Sequence, residues 1–381
     1  MTGVIVLKWR IRRKCSSMKV FHCDHCGQLV FFENTCCLNC GHVLAYLTDL
    51  SDLCSLEAVD NGLWKSVPRN GAERDTWRLC ANYSTGNICN WALPEADPNP
   101  LCLSCRLTQV IPNLSLPKNK DAWCRLETAK RRLIYTLLDL GLPLTGKTDS
   151  PDEGVAFLFL GDVDGQAMPL LSGHQNGVIT INIAEADDAE RERRRNDLHE
   201  PYRTILGHFR HEIGHYYWDR LIKDSDRLTA FRELFGDESQ DYGEALRRHY
   251  EQGPPADFQQ QFVTAYASAH PWEDWAETWA HYLHMSDALQ TAASTGLILK
   301  PRHSDEPAVS QAMLKQSAAG SFDRMLDAWF PLTYVINNLN RGLGLPDGYP
   351  FVLSMPMIDK LRFIHETIAD AAENATKTVT R

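Results

Sequence analysis

Between positions 122 and 141 apolar residues recur at helical spacing (Leu126, Leu133, Ile134, Leu137, Leu138), with Lys130, Arg131 and Arg132 on the other side. Residues three and four apart share a helix face, so this pattern predicts a core-packing helix, ended by Gly141 and Pro143. Val155 to Leu160 is a continuous apolar run. Gly177 to Ile183 alternates Val178, Thr180 and Asn182 against Ile179, Ile181 and Ile183. Both read as strands. Pro201 suits the first turn of a helix reaching about Lys223, with Leu206, Phe209, Ile213, Tyr217 and Leu221 on one stripe and His208, His211 and His215 on another. Pro271 opens a further helix, and Asp226 to Tyr250 is a helical stretch between the two. The charge run Glu190 to Arg195 reads as a solvated, salt-bridged segment. Ile111 to Pro117 is punctuated by proline, and the domain boundary is placed there.

The cysteines divide the chain. All twelve lie between Cys15 and Cys124. Disulfides of a secreted protein would spread through the core, whereas clustering with C-x-x-C spacing reads as metal binding in a reducing, cytoplasmic compartment. Cys23-x2-Cys26-Gly27 and Cys37-x2-Cys40-Gly41 are matching knuckles. Each turn presents two thiolates to one ion, and the glycine permits the tight backbone. Together they predict a zinc ribbon, with Gln28 to Glu33 as its hairpin strand. His22, His25 and His42 beside them read as surface residues. Cys80, Cys89, Cys102 and Cys105 form a second set, in which only Cys102-x2-Cys105 has knuckle spacing. They are expected to hold a second structural zinc. Cys15, Cys54 and Cys124 receive no role.

The helix from Pro201 carries His211-Glu212-Ile213-Gly214-His215. Histidines four apart share a face and can reach one ion, with Glu212 beside them as general base for a water. Gly214 costs about 1 kcal/mol of helix propensity relative to alanine, which close approach of another element would explain. A catalytic zinc needs a third protein ligand and an open fourth position. On the later helix, Glu273 and Glu277 stand one turn apart within His270-Pro271-Trp272-Glu273-Asp274-Trp275-Ala276-Glu277.

His-Glu-x-x-His followed by Glu-x-x-Ala-Glu resembles the gluzincin arrangement. That resemblance implies Glu273 as the zinc ligand and Glu277 as the carboxylate orienting His211. From Met18 onward, Phe32-Glu33-Asn34, Cys89-Asn90-Trp91, Cys102 to Leu107, Ala129 to Leu133 and Glu200 to Thr204 extend it to a bacterial zinc-binding metallopeptidase family, in which a zinc-ribbon region precedes a gluzincin-like domain. The fold class implied is α+β: a ribbon at 18–47, a second cysteine-rich segment at 48–117, and a mostly helical metallopeptidase-like domain with a small sheet at 118–370. Residues 1–17 would be a disordered extension and 371–381 a tail. The implied chemistry is peptide hydrolysis with one catalytic and one or two structural Zn²⁺ ions, Glu212 moving the proton. Tyr266 holds the position of the phenol that some gluzincins aim at the oxyanion. Strand Gly177 to Ile183 could pair with an extended substrate along its edge. His208, His249, His281 and His284 are alternative donors or ligands. The gap from His215 to Glu273 is long for the resemblance, so the helical insert Asp226 to Tyr250 is expected to fold away from the cleft.

Composition narrows the partners. The 381 residues are 44% hydrophobic and 23% charged, an ordinary globular balance, and the net charge is -10. That charge argues against sequence-independent binding to nucleic acid or anionic membrane. No apolar run is long enough to span a bilayer. Met1 to Ser17 places its charges after its short apolar piece, unlike a secretory signal. A peptide or protein substrate is the expected partner. Two other readings remain open here: a non-catalytic zinc-ribbon adaptor for protein or nucleic acid, and a hydrolase of a non-peptide amide.

Overall fold

The structure, a computed structural model, describes residues 20–67, 76–161, 172–197, 204–317 and 320–379. The expected extension 1–17, with Cys15, and Pro201 lie outside them. Strand β1 (Phe21–His22) pairs antiparallel with β2 (Leu29–Val30), within the expected ribbon hairpin. Next come β3 (Val43–Leu47), β4 (Asp52–Ala58), β5 (Trp64–Ser66), β6 (Thr76–Leu79), the short helix α1 (Ala81–Ser84) and β7 (Trp91–Pro94). Strands β3 to β7 form a closed barrel, shut by parallel pairing of β3 with β7 at Tyr46 and Trp91. The sequence reading did not foresee this barrel, since its strands are short and broken by turns. Strand β3 falls in the expected segment 18–47 and its partners in 48–117, so one barrel spans both expected segments.

Strand β8 (Thr108–Val110) and helix α2 (Pro117–Asp139) lead into β9 (Ala156–Leu160), β10 (Gly173–Gln175) and β11 (Val178–Asn182). These strands form a sheet in the order β10-β11-β9-β8, antiparallel between β10 and β11 and otherwise parallel. The charge run lies on α3 (Asp188–Asp197). The remainder is helical: α4 (Ile205–Leu221), α5 (Leu228–Phe235), α6 (Tyr242–Gln252), α7 (Pro271–Ser294), α8 (Gln311–Ser317), α9 (Phe322–Gly342) and α10 (Met355–Val379). Helix α10 continues past position 371, where the sequence suggested a tail. Among the described residues no helix is long and apolar enough to cross a membrane.

Helix α2 departs from its sequence pattern. Lys130 and Arg131, read as lying on the side away from the apolar stripe, are buried too. The N-terminal module packs against that face: Arg131 donates to the Ile88 carbonyl at 2.6 Å and Lys130 to the Thr108 hydroxyl, while Glu127, one turn back on α2, lies 2.9 Å from Lys130. Tyr135 of α2 completes an aromatic cluster with Phe32, Tyr46 and Trp91. The two halves of the chain therefore share one core.

The main helices start where local chemistry permits. Pro117 opens α2, where its missing N–H is no loss. The Thr204 hydroxyl caps α4 by accepting from the Gly207 N–H at 2.9 Å, and the His270 ring caps α7 by accepting from Trp272 at 3.1 Å. Helices α4 and α7 then cross at Gly214. A methyl group there would lie 3.1 Å from the Ala276 Cα and 3.2 Å from the Trp279 Cβ. The Trp275 indole donates to the Gly214 carbonyl at 2.9 Å, and Tyr217 stacks on Trp279.

Gly214→Ala tests the crossing. Helix propensity alone would favour alanine by about 1 kcal/mol. The neighbour is rigid backbone, however, and overpacking of this kind costs about 1–3 kcal/mol. The expected outcome is a lower midpoint in chemical denaturation; a higher midpoint would show that the helices part without penalty.

Candidate metal centre

The α4–α7 crossing brings His211 and His215 of α4 against Glu273 in the first turn of α7. His211 Nε2 lies 3.2 Å from His215 Nε2 and 3.0 Å from Glu273 Oε2, which is 3.4 Å from His215 Nε2. Bonds of ~2.0–2.1 Å to a tetrahedral zinc would separate its ligand atoms by about 3.3 Å. The three atoms already stand at that spacing. Glu273 Oε2 is buried and has no hydrogen-bond partner among the described residues, which suits a carboxylate oxygen facing a cation.

The groups behind the donors fix their orientation. His211 Nδ1–H donates to Glu277 Oε1 at 2.6 Å, which leaves the Nε2 lone pair for a metal. Glu277 is held in turn by the Thr264 hydroxyl at 2.7 Å. The other oxygen of Glu273 accepts from the Tyr242 hydroxyl at 2.5 Å. The His215 ring packs on Trp272, centroids 3.9 Å apart.

Glu212, beside the donor triad, is buried but half satisfied. His208 Nε2 donates to its Oε1 at 3.0 Å, while Oε2 has no partner among the described residues. Burial by itself would raise the Glu212 carboxyl; the His208 hydrogen bond and the nearby imidazoles hold it below its ordinary value. His208 also donates to Glu185 through Nδ1. Burial alone would lower this imidazole, but Glu185 and Glu212 outweigh it and push its pKa up to about 10. His208 is therefore a cation wedged between two carboxylates.

The cysteines assemble into two sets of four. Cys23 and Cys40 sulfurs are 3.5 Å apart and Cys26 and Cys37 sulfurs 3.6 Å, close to the ~3.8 Å edge of a tetrahedron with Zn–S bonds of ~2.3 Å. Gly27 and Gly41 have φ of +75° and +76°, the left-handed backbone the knuckles require. Cys80, Cys89, Cys102 and Cys105 are all buried, with Cys89 and Cys102 sulfurs 3.7 Å apart. Backbone N–H groups of Cys102 and Trp91 point at the sulfurs of Cys80 and Cys89, at 3.3 and 3.4 Å. Such donors favour thiolate over thiol. Cys54 is buried in β4 and Cys124 lies on α2, outside both sets.

Two expectations need correction. The insert does not fold away from the cleft: α6 carries Tyr242 onto Glu273, and His249 of the same helix faces Tyr266 with ring centroids 6.1 Å apart. Strand β11 cannot accept a substrate along its edge, because β10 and β9 occupy both of its sides. The outer strands are β8 and β10, and the His174 ring of β10 lies 6.2 Å from that of His215. The Tyr266 ring sits 5.9 Å from that of His211. His281 donates or accepts with Tyr349 at 2.9 Å, and His284 contacts Arg210. Neither joins the donor triad.

Residues missed from sequence are Glu185, Tyr242 and the partner role of His208. Its spacing of four from Glu212 was a readable signal; Tyr242 lies 31 residues before Glu273 in an insert with no motif. Tyr242→Phe removes one hydrogen bond from Glu273 and should weaken zinc binding at this centre by about tenfold or more. Chelator competition measures this, with the cysteine-bound metal as internal reference. Unchanged affinity would show that the phenol does not hold the carboxylate.

Comparison with known proteins places the chain. Residues 119–367 match the family described as "Putative zinc-binding metallo-peptidase", and residues 20–116 match a zinc-ribbon domain. Uncharacterized proteins of Mycobacterium bovis and Mycobacterium tuberculosis are 44% identical to it over 356 residues, 93% of this chain and 96% of theirs. No solved structure matches it. With three donors gathered at the helix crossing and two four-cysteine sets in front, the chain belongs to this zinc-binding metallopeptidase family and carries its zinc-ribbon domain at the N-terminal end.

Proposed function

We propose that this protein is a zinc-dependent hydrolase of peptide bonds, with its reaction centre at the α4–α7 crossing. One observation carries the reading. Nε2 of His211, Nε2 of His215 and Oε2 of Glu273 stand 3.0–3.4 Å from one another, and Oε2 of Glu212, on the helix of the two histidines, has no hydrogen-bond partner among the described residues. When bound there, zinc supplies a Lewis acid that polarises a carbonyl and acidifies a water.

The chain's own residues do the rest. Glu212 Oε2 accepts the proton of the attacking water and returns it to the leaving amine nitrogen. The cationic His208 holds Oε1, so only one oxygen of the base is free to work, and its direction is set. Glu277 keeps the His211 ring in one tautomer. The Tyr242 proton is already given to Glu273, so the phenol of Tyr266, beside the His211 ring, is the O–H group available to a developing oxyanion. The outer strand β10, whose His174 ring lies 6.2 Å from that of His215, offers a backbone edge for an extended substrate. The cysteine sets are assigned one structural zinc each, giving three ions in all.

Glu212→Gln keeps the side chain's size and removes the base. The expected result is unchanged metal content and a loss of at least about 100-fold in cleavage of a mixed peptide library read by mass spectrometry. Cleavage at the parental rate would overturn the mechanism. Hydrolysis of small amides with no peptide cleaved would keep the mechanism and replace the substrate.

A further inference from the structure

Away from that centre, three more donors meet on the zinc ribbon. His25 lies inside the first knuckle, His42 follows the second, and Glu57 is on β4. One nitrogen from each histidine and one carboxylate oxygen lie within 4.8 Å of one another. His42 Nε2 is 3.4 Å from Glu57 Oε1, and the two imidazoles stack with centroids 4.0 Å apart. The three come from separate stretches of chain and are brought together only by the β3–β4 pairing and the knuckle turns. His25 and Glu57 are exposed, so an ion can enter from solvent without opening the fold.

The chemistry of the set selects its ligand. Two imidazoles and one carboxylate suit zinc, nickel or copper(II), whereas magnesium and calcium want oxygen donors. The setting favours a cation as well. Four thiolates in the adjoining knuckles outweigh the charge of any divalent ion they hold, and Asp24 lies next to His25. We infer that His25, His42 and Glu57 form an exposed, exchangeable site for a divalent transition-metal ion on the ribbon, separate from the cysteine sets and from the α4–α7 centre.

Nickel uptake by the full chain tests this. Zinc-loaded parent and a His25→Ala/His42→Ala double variant, both without histidine tags, are dialysed against micromolar Ni²⁺ and their metal content is measured. The parent should retain one more Ni²⁺ per chain than the double variant. Glu57→Gln, a change at an exposed position, should raise the apparent Kd for Ni²⁺ about tenfold. Thermal melting and cysteine-bound zinc, unchanged in the variants, verify that the ribbon is folded; if the double variant fails this, the Glu57→Gln shift decides. Equal uptake by parent and double variant overturns the site. So does uptake confined to millimolar Ni²⁺ and indifferent to Glu57, which marks an adventitious ion only. The same difference is expected in a His211→Ala background, so failure here and failure of the hydrolase reading are distinguishable.

Discussion

The close approach of two helix backbones at Gly214 is the constraint on which the site depends. The donors of the triad sit on two helices, so their spacing follows from how near those helices come. With the Ala276 Cα only 3.1 Å from where a Cβ would stand, no larger residue fits without moving one helix. Trp275 and Trp279, both fully buried, flank the contact and tie α7 to α4. Helical rigidity then carries the fixed crossing to His211 and His215 on one side and Glu273 on the other. Glycine here is unfavourable for the isolated helix and lets the pair approach this closely.

The second constraint is charge. Glu185, Glu212, Glu273 and Glu277 are drawn together in or near the centre, interleaved with His208, His211 and His215. Buried carboxylates that lack partners are costly. Here each has an assigned neighbour: His208 for Glu185 and Glu212, His211 for Glu277, and Tyr242 for one oxygen of Glu273. Among the described residues, the oxygens of these four left without a hydrogen-bond partner are Oε2 of Glu212 and Oε2 of Glu273. Those are the two atoms that the proposed chemistry uses, one toward a proton and one toward a metal. The polar network thus isolates its reactive atoms by satisfying the others.

What could be read from the sequence follows from the range of each signal. Helices α2, α4 and α7 and strands β9 and β11 were legible because their periodicity or apolar run is local. Of the helix starts only α7's at Pro271 was read, since α4 begins at Ile205 behind the Thr204 cap and not at Pro201, and α2 begins at Pro117 inside the expected linker. The knuckles were legible because two cysteines and a glycine within five residues specify a turn. The burial of Lys130 and Arg131 was not, since it is imposed by segments far away in the chain: Ile88 for Arg131, and Thr108 with Phe157 and Phe159 for Lys130. The barrel escaped because strands of three to seven residues carry too few alternating positions to stand out. The insert was misplaced for a related reason: α5 and α6 have helical patterns, but nothing local shows what Tyr242 faces. Motifs reveal donor types; contacts between distant segments decide how those donors are aimed.

Anomalous diffraction at the zinc edge from crystals of the zinc-loaded chain tests the central claim most directly. The account predicts a peak bounded by Nε2 of His211, Nε2 of His215 and Oε2 of Glu273, in addition to density at the cysteine sets. Zinc confined to the cysteines, with Glu273 turned away from both imidazoles, would contradict it.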